Sequence, residues 1–271
     1  MGKESRRSPY DVLAIRYGTF TAMRRDLYFG YPVYGEPDGP IQMDYYFWLL
    51  RNRERTILVD VGFDPTVGRR RGRTVLIEPI ESLHMLGVDP KHVDLIIVSH
   101  MHYDHIGNLA RFPEANVLMA RSEFEFWTGP LATRRHFKDV VEPHEIASAQ
   151  DAYDTGRLSL IDADQEIAPG VDAWIVGGHC PGQLIVRVDA EGGSVILASD
   201  ALHFYEEMER DMPFHILYHL GDMYHAYDVL RDLETRDMAT IVAGHDPRVM
   251  TRFHPLPGNL GVKIASMDTC G

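Results

Sequence analysis

Directly after the apolar run 93–98 the chain reads Ser99-His100-Met101-His102-Tyr103-Asp104-His105, which sets four potential metal ligands within six residues. A short, nearly continuous apolar run is the pattern of a strand buried on both faces. In a loop leaving such a strand, alternate residues such as His100 and His102 point the same way, and the turn carries Asp104 and His105 to an adjacent position. That spacing offers two neighbouring metal pockets instead of one. Imidazole is the commonest metal ligand, and the chain carries 14 His, so the placement of the others matters. His179 follows the expected strand 171–176 in Gly177-Gly178-His179-Cys180-Pro181-Gly182, Asp200 ends the expected strand 195–198, and His245 follows the expected strand 240–243 in Gly244-His245-Asp246. One His behind a strand is usually structural. Ligand-type side chains repeated at matching strand ends define a candidate metal site.

The remaining pattern is that of one domain over residues 1–271. No long Gly/Ser linker, low-complexity tract or short repeat divides it. Strands are expected at 11–17, 44–50 and 55–61, the last two joined in hairpin fashion by Arg51-Asn52-Arg53-Glu54, then at 93–98, 117–120, 157–161, 171–176, 184–188, 195–198 and 240–243. Ile77, Ile80, Leu83 and Leu86 form a helical stripe closed by Gly87, residues 121–154 are helix-prone, and 222–235 is apolar at Met223, Ala226 or Tyr227, Leu230 and Leu233. Several strands precede each helix, which predicts an α/β sandwich of two mixed sheets with helices outside. Residues 1–9 are expected to be flexible and 251–271 to form a C-terminal tail.

These residues resemble the signature of the metallo-β-lactamase-fold hydrolases, His-x-His-x-Asp-His, matched by His100, His102, Asp104 and His105. The similarity runs from Leu58-Val59-Asp60-Val61-Gly62 through His179 and Asp200 to His245. The resemblance implies a four-layer αββα sandwich with two metals at the strand edge. It assigns His100, His102 and His179 to one metal and Asp104, His105 and His245 to the other, with Asp200 bridging and Asp60 hydrogen-bonding around the ligands. Five imidazoles and two carboxylates leave two divalent cations net positive, so a water shared between them loses its proton near neutral pH and becomes a nucleophile. Hydrolysis is the natural reaction. Zinc suits these ligands, and a carboxylate bridge also admits iron, manganese or cobalt.

Within that family Asp200 stands where a β-lactamase would carry Cys, and only the 26 residues 246–271 follow His245, where a glyoxalase II carries a helical region. The nuclease branches need an added domain or a basic face, and a net charge of −13 offers neither. The chain is most similar to the N-acyl homoserine lactonases and related small-lactone hydrolases, in length, in the short tail and in Leu197-Ala198-Ser199-Asp200-Ala201. This implies a metal-dependent hydrolase that opens a lactone ring. Another carboxylic ester, a thioester or a cyclic amide is the alternative bond, and a non-catalytic metal-binding scaffold the alternative class. Asp104 is expected to serve catalysis as well as metal binding. Lactonases commonly place a Tyr three residues after the bridging Asp, where its hydroxyl supports the carbonyl or the leaving alkoxide. Here that position is His203, with Tyr205 two further on, so one of these is expected to be the donor. The lactonase phrase His-Ser-Pro-Gly-His is replaced by His179-Cys180-Pro181-Gly182-Gln183.

Composition narrows the partners. Acidic residues exceed basic ones by 40 to 27, a surface that repels phosphate backbones and anionic lipid heads, so neither nucleic acid nor membrane is an expected partner. No run reaches the roughly 18 apolar residues of a membrane helix, and the polar, basic start lacks a secretory signal; the chain reads as cytoplasmic, acting on a small molecule. Cys180 and Cys270 are too few for a disulfide framework, and Cys180 reads as a packing residue. The aromatic-rich stretch 20–48 reads as a lid or apolar wall over the site, or equally as a homodimer contact or satellite core. Met208, Met212, Phe214 and Met223 read as helix packing in preference to the wall of an acyl pocket. Arg69, Arg70, Arg71 and Arg73 read as a solvated loop in preference to a substrate-carboxylate site.

Overall fold

The computed structural model describes residues 8–265. Its first sheet runs, in spatial order, His254–Pro255, Gly261–Ala265, Asp11–Met23, Pro40–Arg51, Thr56–Val59, Leu95–Ile97, Asn116–Ala120 and Leu158–Ile161, with Thr74–Val75 paired to Asp11–Met23. The second runs Thr240–Ala243, Gly193–Ser199, Leu184–Ala190, Val171–Ile175 and Gln165–Ala168. Both are mixed. Thr56–Val59 through Leu158–Ile161 pair in parallel while Asp11–Met23 and Pro40–Arg51 form an antiparallel hairpin, and Thr240–Ala243 joins the otherwise antiparallel second sheet in parallel.

Strand periodicity explains the layers. Val12 and Ala14 pack with Trp48, Ile57 and Val59 against Val186, Val188 and Leu197 of the second sheet. Their neighbours Leu13, Ile15 and Tyr17 face the other way, into the outer core that holds Leu83 of the helix Pro79–Met85 and, toward the far edge of the sheet, Ala149 and Ala152 of the helix Pro143–Asp154. The helix Leu220–Arg236 lays Met223, Ala226, Tyr227, Leu230 and Leu233 on the second sheet. Each large side chain fully buried in these layers contributes about 1.5–3 kcal/mol. The result is the expected αββα sandwich, with parallel strand ends gathered at one edge.

Several local readings change. The stretch 121–154 is two helices, Arg121–Trp127 and Pro143–Asp154, separated by 3-10 turns at Pro130–Thr133 and Phe137–Val140, because Pro130 and Pro143 start new segments and cannot continue one. Residues 251–265 are not a tail. Gly261–Ala265 pairs antiparallel with Asp11–Met23 through Leu13↔Lys263 and Ala14↔Val262, and a side chain at Gly261 would place Cβ 2.0 Å from the Ala14 carbonyl oxygen. The rest of that expected tail, with Cys270, lies outside the described residues, as does the expected flexible segment apart from Ser8 and Pro9. The strand Gln165–Ala168 has no apolar signal that sequence reading can use, being exposed or half-buried throughout. Among the described residues no helix is long and apolar enough to cross a membrane.

One side chain locks the ligand-bearing turn to the first sheet. Asn108, buried just after the helix Tyr103–Ile106, donates to the carbonyls of Val61, Gly62 and Phe63 at 3.0, 3.1 and 2.9 Å. Asn108→Ala leaves buried carbonyls without that donor and should cost about 1–3 kcal/mol. Urea unfolding should show a lower midpoint at an unchanged slope; an unchanged midpoint would mean that water replaces the amide.

Candidate metal centre

The loop after Leu95–Ile97 carries His100 and His102, and the short helix Tyr103–Ile106 then turns Asp104 and His105 onto the same edge. His179 leaves the strand Val171–Ile175 through Gly177 and Gly178, both at positive φ (66° and 86°). At Gly178 a Cβ would also sit 2.7 Å from the Met223 backbone nitrogen, so only glycine fits this turn. Asp200 follows Ser199, whose φ of 45° is unusual for a residue with a side chain, and His245 follows Thr240–Ala243. All seven expected ligand residues are buried and converge.

Their contacts have two sides. Asp200 Oδ2 lies 3.7 Å from His100 Nε2 and 3.4 Å from His179 Nε2, and His179 Nε2 is 2.9 Å from His102 Nδ1. Asp200 Oδ1 lies 3.2 Å from His105 Nε2 and 3.0 Å from His245 Nε2, and both these nitrogens are within 3.8 Å of Asp104 Oδ2. Asp200 thus stands between two donor sets, the arrangement a bridging carboxylate requires.

The outward nitrogen of each ring is fixed. His100 Nδ1 meets Ser99 Oγ at 3.1 Å, His102 Nε2 meets Cys180 Sγ at 3.2 Å, and His105 Nδ1 meets Asp60 Oδ2 at 2.7 Å. His179 Nδ1 donates to the Ile216 carbonyl and His245 Nδ1 to the Asp44 carbonyl, both at 2.8 Å. With a proton spent outward, the inward nitrogen of a neutral ring presents a lone pair. His100 Nε2, His105 Nε2, His245 Nε2 and Asp200 Oδ1 are buried without a hydrogen-bond partner. Buried lone pairs converging without donors fit divalent cations.

Electrostatics support that fit on the Oδ2 side of Asp200. On the other, burial opposes charge on His105 but Asp200, Asp60 and Asp104 outweigh it and hold that ring well above the ordinary histidine value, so a metal there displaces a proton. Burial, with neighbouring imidazoles adding to it, holds His100 and His179 well below the ordinary histidine value, and burial takes His102 down to about 3, so these rings are neutral as ligands must be. Burial works against charge on Asp200, yet His105 and His245 outweigh it and keep the carboxyl well below its usual range.

The centre opens onto a cavity of about 540 Å³ whose lining includes His102, Asp104, His179 and Asp200 together with Phe20, Met23, Leu27, Met43 and Phe214. Part of the aromatic-rich stretch, Phe20, Met23, Met43 and Tyr45, is therefore wall of the site, whereas Tyr28, Tyr31, Tyr46, Phe47 and Trp48 of the same stretch belong to the core. A second cavity of about 240 Å³, walled by Phe126, Trp127, Phe137 and Tyr218, meets the first at His102 and His179.

Three expected roles change. Tyr205 is not beside the metal cluster: its hydroxyl donates to the Ile241 carbonyl at 3.1 Å and its ring lies under Arg252. His203 is fully buried, absent from the lining of either cavity and covered by Phe214, stacked at 3.8 Å; it faces Asp200 and not the space a substrate would occupy. Burial opposes charge on His203, but Asp200 and Glu207 outweigh it and raise the imidazole to about 9. The arginine cluster divides. Arg69 pairs with Glu78, Arg70 and Arg71 with Glu142, while Arg73 lines the large cavity, lies 4.0 Å over Phe20 and donates to the Tyr103 hydroxyl at 2.9 Å.

Glu123 was invisible from sequence. Fully buried, it accepts from Met101 N at 2.8 Å, Gly182 N at 2.9 Å and Trp127 Nε1 at 2.6 Å, joining the two ligand loops. Its neighbours Arg121, Ser122 and Glu125 are polar as well, so nothing in the sequence sets it apart from an ordinary exposed helix charge. Asp60, the other buried carboxylate behind the ligands, gives the sharper test. Asp60→Asn removes an acceptor from His105 and should weaken metal binding on the His105 side by about 10–100-fold. Competition with a chromogenic chelator reads this directly, and equal affinities would mean that His105 is oriented by packing alone.

The metallo-beta-lactamase superfamily pattern matches residues 44–245. An N-acyl homoserine lactonase of Bacillus thuringiensis is 26% identical over 193 residues, 66% of this chain and 72% of that protein. The N-acyl homoserine lactonase AttM of Agrobacterium fabrum (strain C58) is 28% identical over 191 residues, 66% of this chain and 67% of that protein. The crystal structure of a quorum-quenching N-acyl homoserine lactone lactonase superposes with a TM-score of 0.75 at 22% identity, covering 92% of this chain and 98% of that one. A fold shared along nearly the whole chain, a pattern spanning every convergent ligand residue, and their placement at one strand edge agree: the chain belongs to the metallo-beta-lactamase superfamily.

Proposed function

We propose that this protein is a metal-dependent hydrolase that opens the ring of a small lactone, of the acyl homoserine lactone type or related to it. The observation that carries the reading is the two-sided contact of Asp200, with imidazoles on each oxygen, at the floor of an apolar-walled cavity. The lactonase relatives support the choice of bond.

In this reading His100, His102 and His179 would hold one divalent metal and Asp104, His105 and His245 the other, with Asp200 shared between the two donor sets. When bound, the metals supply positive charge that polarises an ester carbonyl and lowers the pKa of a water. Zinc suits the imidazole-rich donors. The chain's residues do the rest. Asp104 lines the cavity, where its carboxylate accepts the proton of the attacking water and returns it to the ring oxygen as the C–O bond breaks. Phe20, Met23, Leu27 and Met43 take up an apolar substituent and exclude water from the reacting bond.

Two measurements test this. Metal-loaded protein is assayed against acyl homoserine lactones of several chain lengths, simple γ- and δ-lactones, aryl esters and glutathione thioesters. Lactones should give the highest kcat/KM, and a preference for thioesters or aryl esters would overturn the substrate class while leaving a hydrolase. Elemental analysis should approach two metals per chain. Asp200→Ala should weaken both together and His179→Ala mainly one; a saturating value of one, with Asp104 and His245 replaceable at no cost, would overturn the dinuclear centre.

A further inference from the structure

At position 203 the chain places an imidazole that the hydrolytic reading does not use. His203 is fully buried, and neither ring nitrogen has a hydrogen-bond partner. Its Nε2 is 3.0 Å from Asp200 Oδ2, the same oxygen that His179 Nε2 approaches at 3.4 Å. Close approach without a well-aligned hydrogen bond leaves both groups with a lone pair to offer one ion between them. The same signature marks His100, His105 and His245, whose inward nitrogens lie within 4 Å of Asp200 and are equally unpartnered. The donor atoms of His179, Asp200 and His203 all lie within 4.8 Å of one another. Ligands about 2.0–2.2 Å from one ion span up to about 4.4 Å between them, so this cluster is close to what a single ion holds.

The far side of the ring is built as well. His203 Nδ1 is 3.4 Å from Glu207 Oε1. Glu207 is itself fully buried and anchored, Oε1 accepting from Phe204 N and Oε2 from the Tyr227 hydroxyl, both at 2.8 Å. A fixed carboxylate stands behind this imidazole as Asp60 stands behind His105, at 3.4 Å and without the 2.7 Å hydrogen bond that Asp60 makes, and a carboxylate in that place is the usual way a metal-bound histidine is oriented.

We propose that His203 is an additional ligand of the metal on the Oδ2 side of Asp200, with Glu207 as its positioning residue. The inference rests on the two-metal reading above and deepens it. The Oδ2 pocket then draws on four imidazoles, those of His100, His102, His179 and His203, against two imidazoles and the Asp104 carboxylate on the Oδ1 side. Such a pocket favours zinc, cobalt or nickel over magnesium and calcium, and it keeps its metal when the other has been stripped.

The test uses the full-length protein and reads metal, not turnover. Zinc removal by a graded chelator should occur in two phases. In His203→Ala the tighter phase should weaken by about a hundredfold and in Glu207→Gln by about tenfold, the range that neighbouring partners of a metal ligand span, with the weaker phase unchanged in both. Cobalt-loaded His203→Ala should show altered d–d absorption at one equivalent. X-ray absorption of wild-type protein at one equivalent of zinc should fit four imidazoles, which keeps the proposal testable if the alanine variant does not fold. Wild-type affinity and spectrum in His203→Ala, or a fit to three imidazoles, would overturn it and leave His203 as a proton-carrying partner of Asp200. Protein that binds metal as described but opens no lactone overturns the substrate reading alone.

Discussion

The site depends on one buried carboxylate that ligates nothing. Asp60 accepts from Ser99 N and from Ser99 Oγ, both at 2.8 Å, and from His105 Nδ1 at 2.7 Å, while its own backbone N–H donates to the Ile97 carbonyl. Ser99 Oγ is in turn 2.8 Å from Ser199 Oγ. Three strand ends, Thr56–Val59 and Leu95–Ile97 of the first sheet and Gly193–Ser199 of the second, are thereby tied into one knot across the sandwich. A charge removed from water needs several donors to be tolerated, and this one has them. The left-handed backbone at Asp60 (φ 62°) and Ser199 (φ 45°) is strain of the kind that persists only where surroundings over-determine it.

Around that knot the centre gathers groups that oppose one another. Asp104 and Asp200 face each other's histidines, and the inward lone pairs of His100, His105 and His245 meet no donor of the protein. Convergence of this kind is costly for a fold on its own and favourable once a cation occupies it, so metal affinity and folding stability are linked in this architecture. The outward hydrogen bonds to Ser99, Cys180, Asp60, Ile216 and Asp44 hold the rings in place regardless.

What sequence could and could not reveal follows from direction. His100, His102, Asp104 and His105 were legible because a strand end fixes where neighbouring side chains point, and His179, Asp200 and His245 because they repeat that position on other strands. The loop after Asp200 was not, since counting three or five residues onward says nothing of orientation: the helix Tyr205–Arg210 begins at residue 205 and sends that hydroxyl to Ile241, away from the metals. The arginine cluster failed for a related reason. Arg70 and Arg71 reach outward to Glu142, but Gly72 at φ 74° turns the chain so that Arg73 enters the cavity. Strand periodicity gave the sandwich, whereas Gly261–Ala265 takes its place through pairing with Asp11–Met23, a long-range choice that no local pattern encodes.

The cavity above the metals is itself polarised, which bears on how any ligand must lie in it. Met23, Leu27 and Phe214 contribute apolar wall. Elsewhere in the lining the Arg73 guanidinium is stacked on Phe20 and fixed by its bond to the Tyr103 hydroxyl, one residue from Asp104. A guanidinium held against aromatic rings keeps its charge and loses its mobility. A molecule with a polar ring and an apolar substituent therefore meets a fixed cation and an oily surface within one pocket, and the difference between them, more than the size of the pocket, selects the orientation that brings its ester to the floor. Among the described residues Arg73 is the one guanidinium of that lining and shares it with the carboxylates of Asp26, Asp104, Asp139 and Asp200, so in a chain of net charge −13 it is the fixed positive point toward which a carbonyl or carboxylate oxygen is drawn.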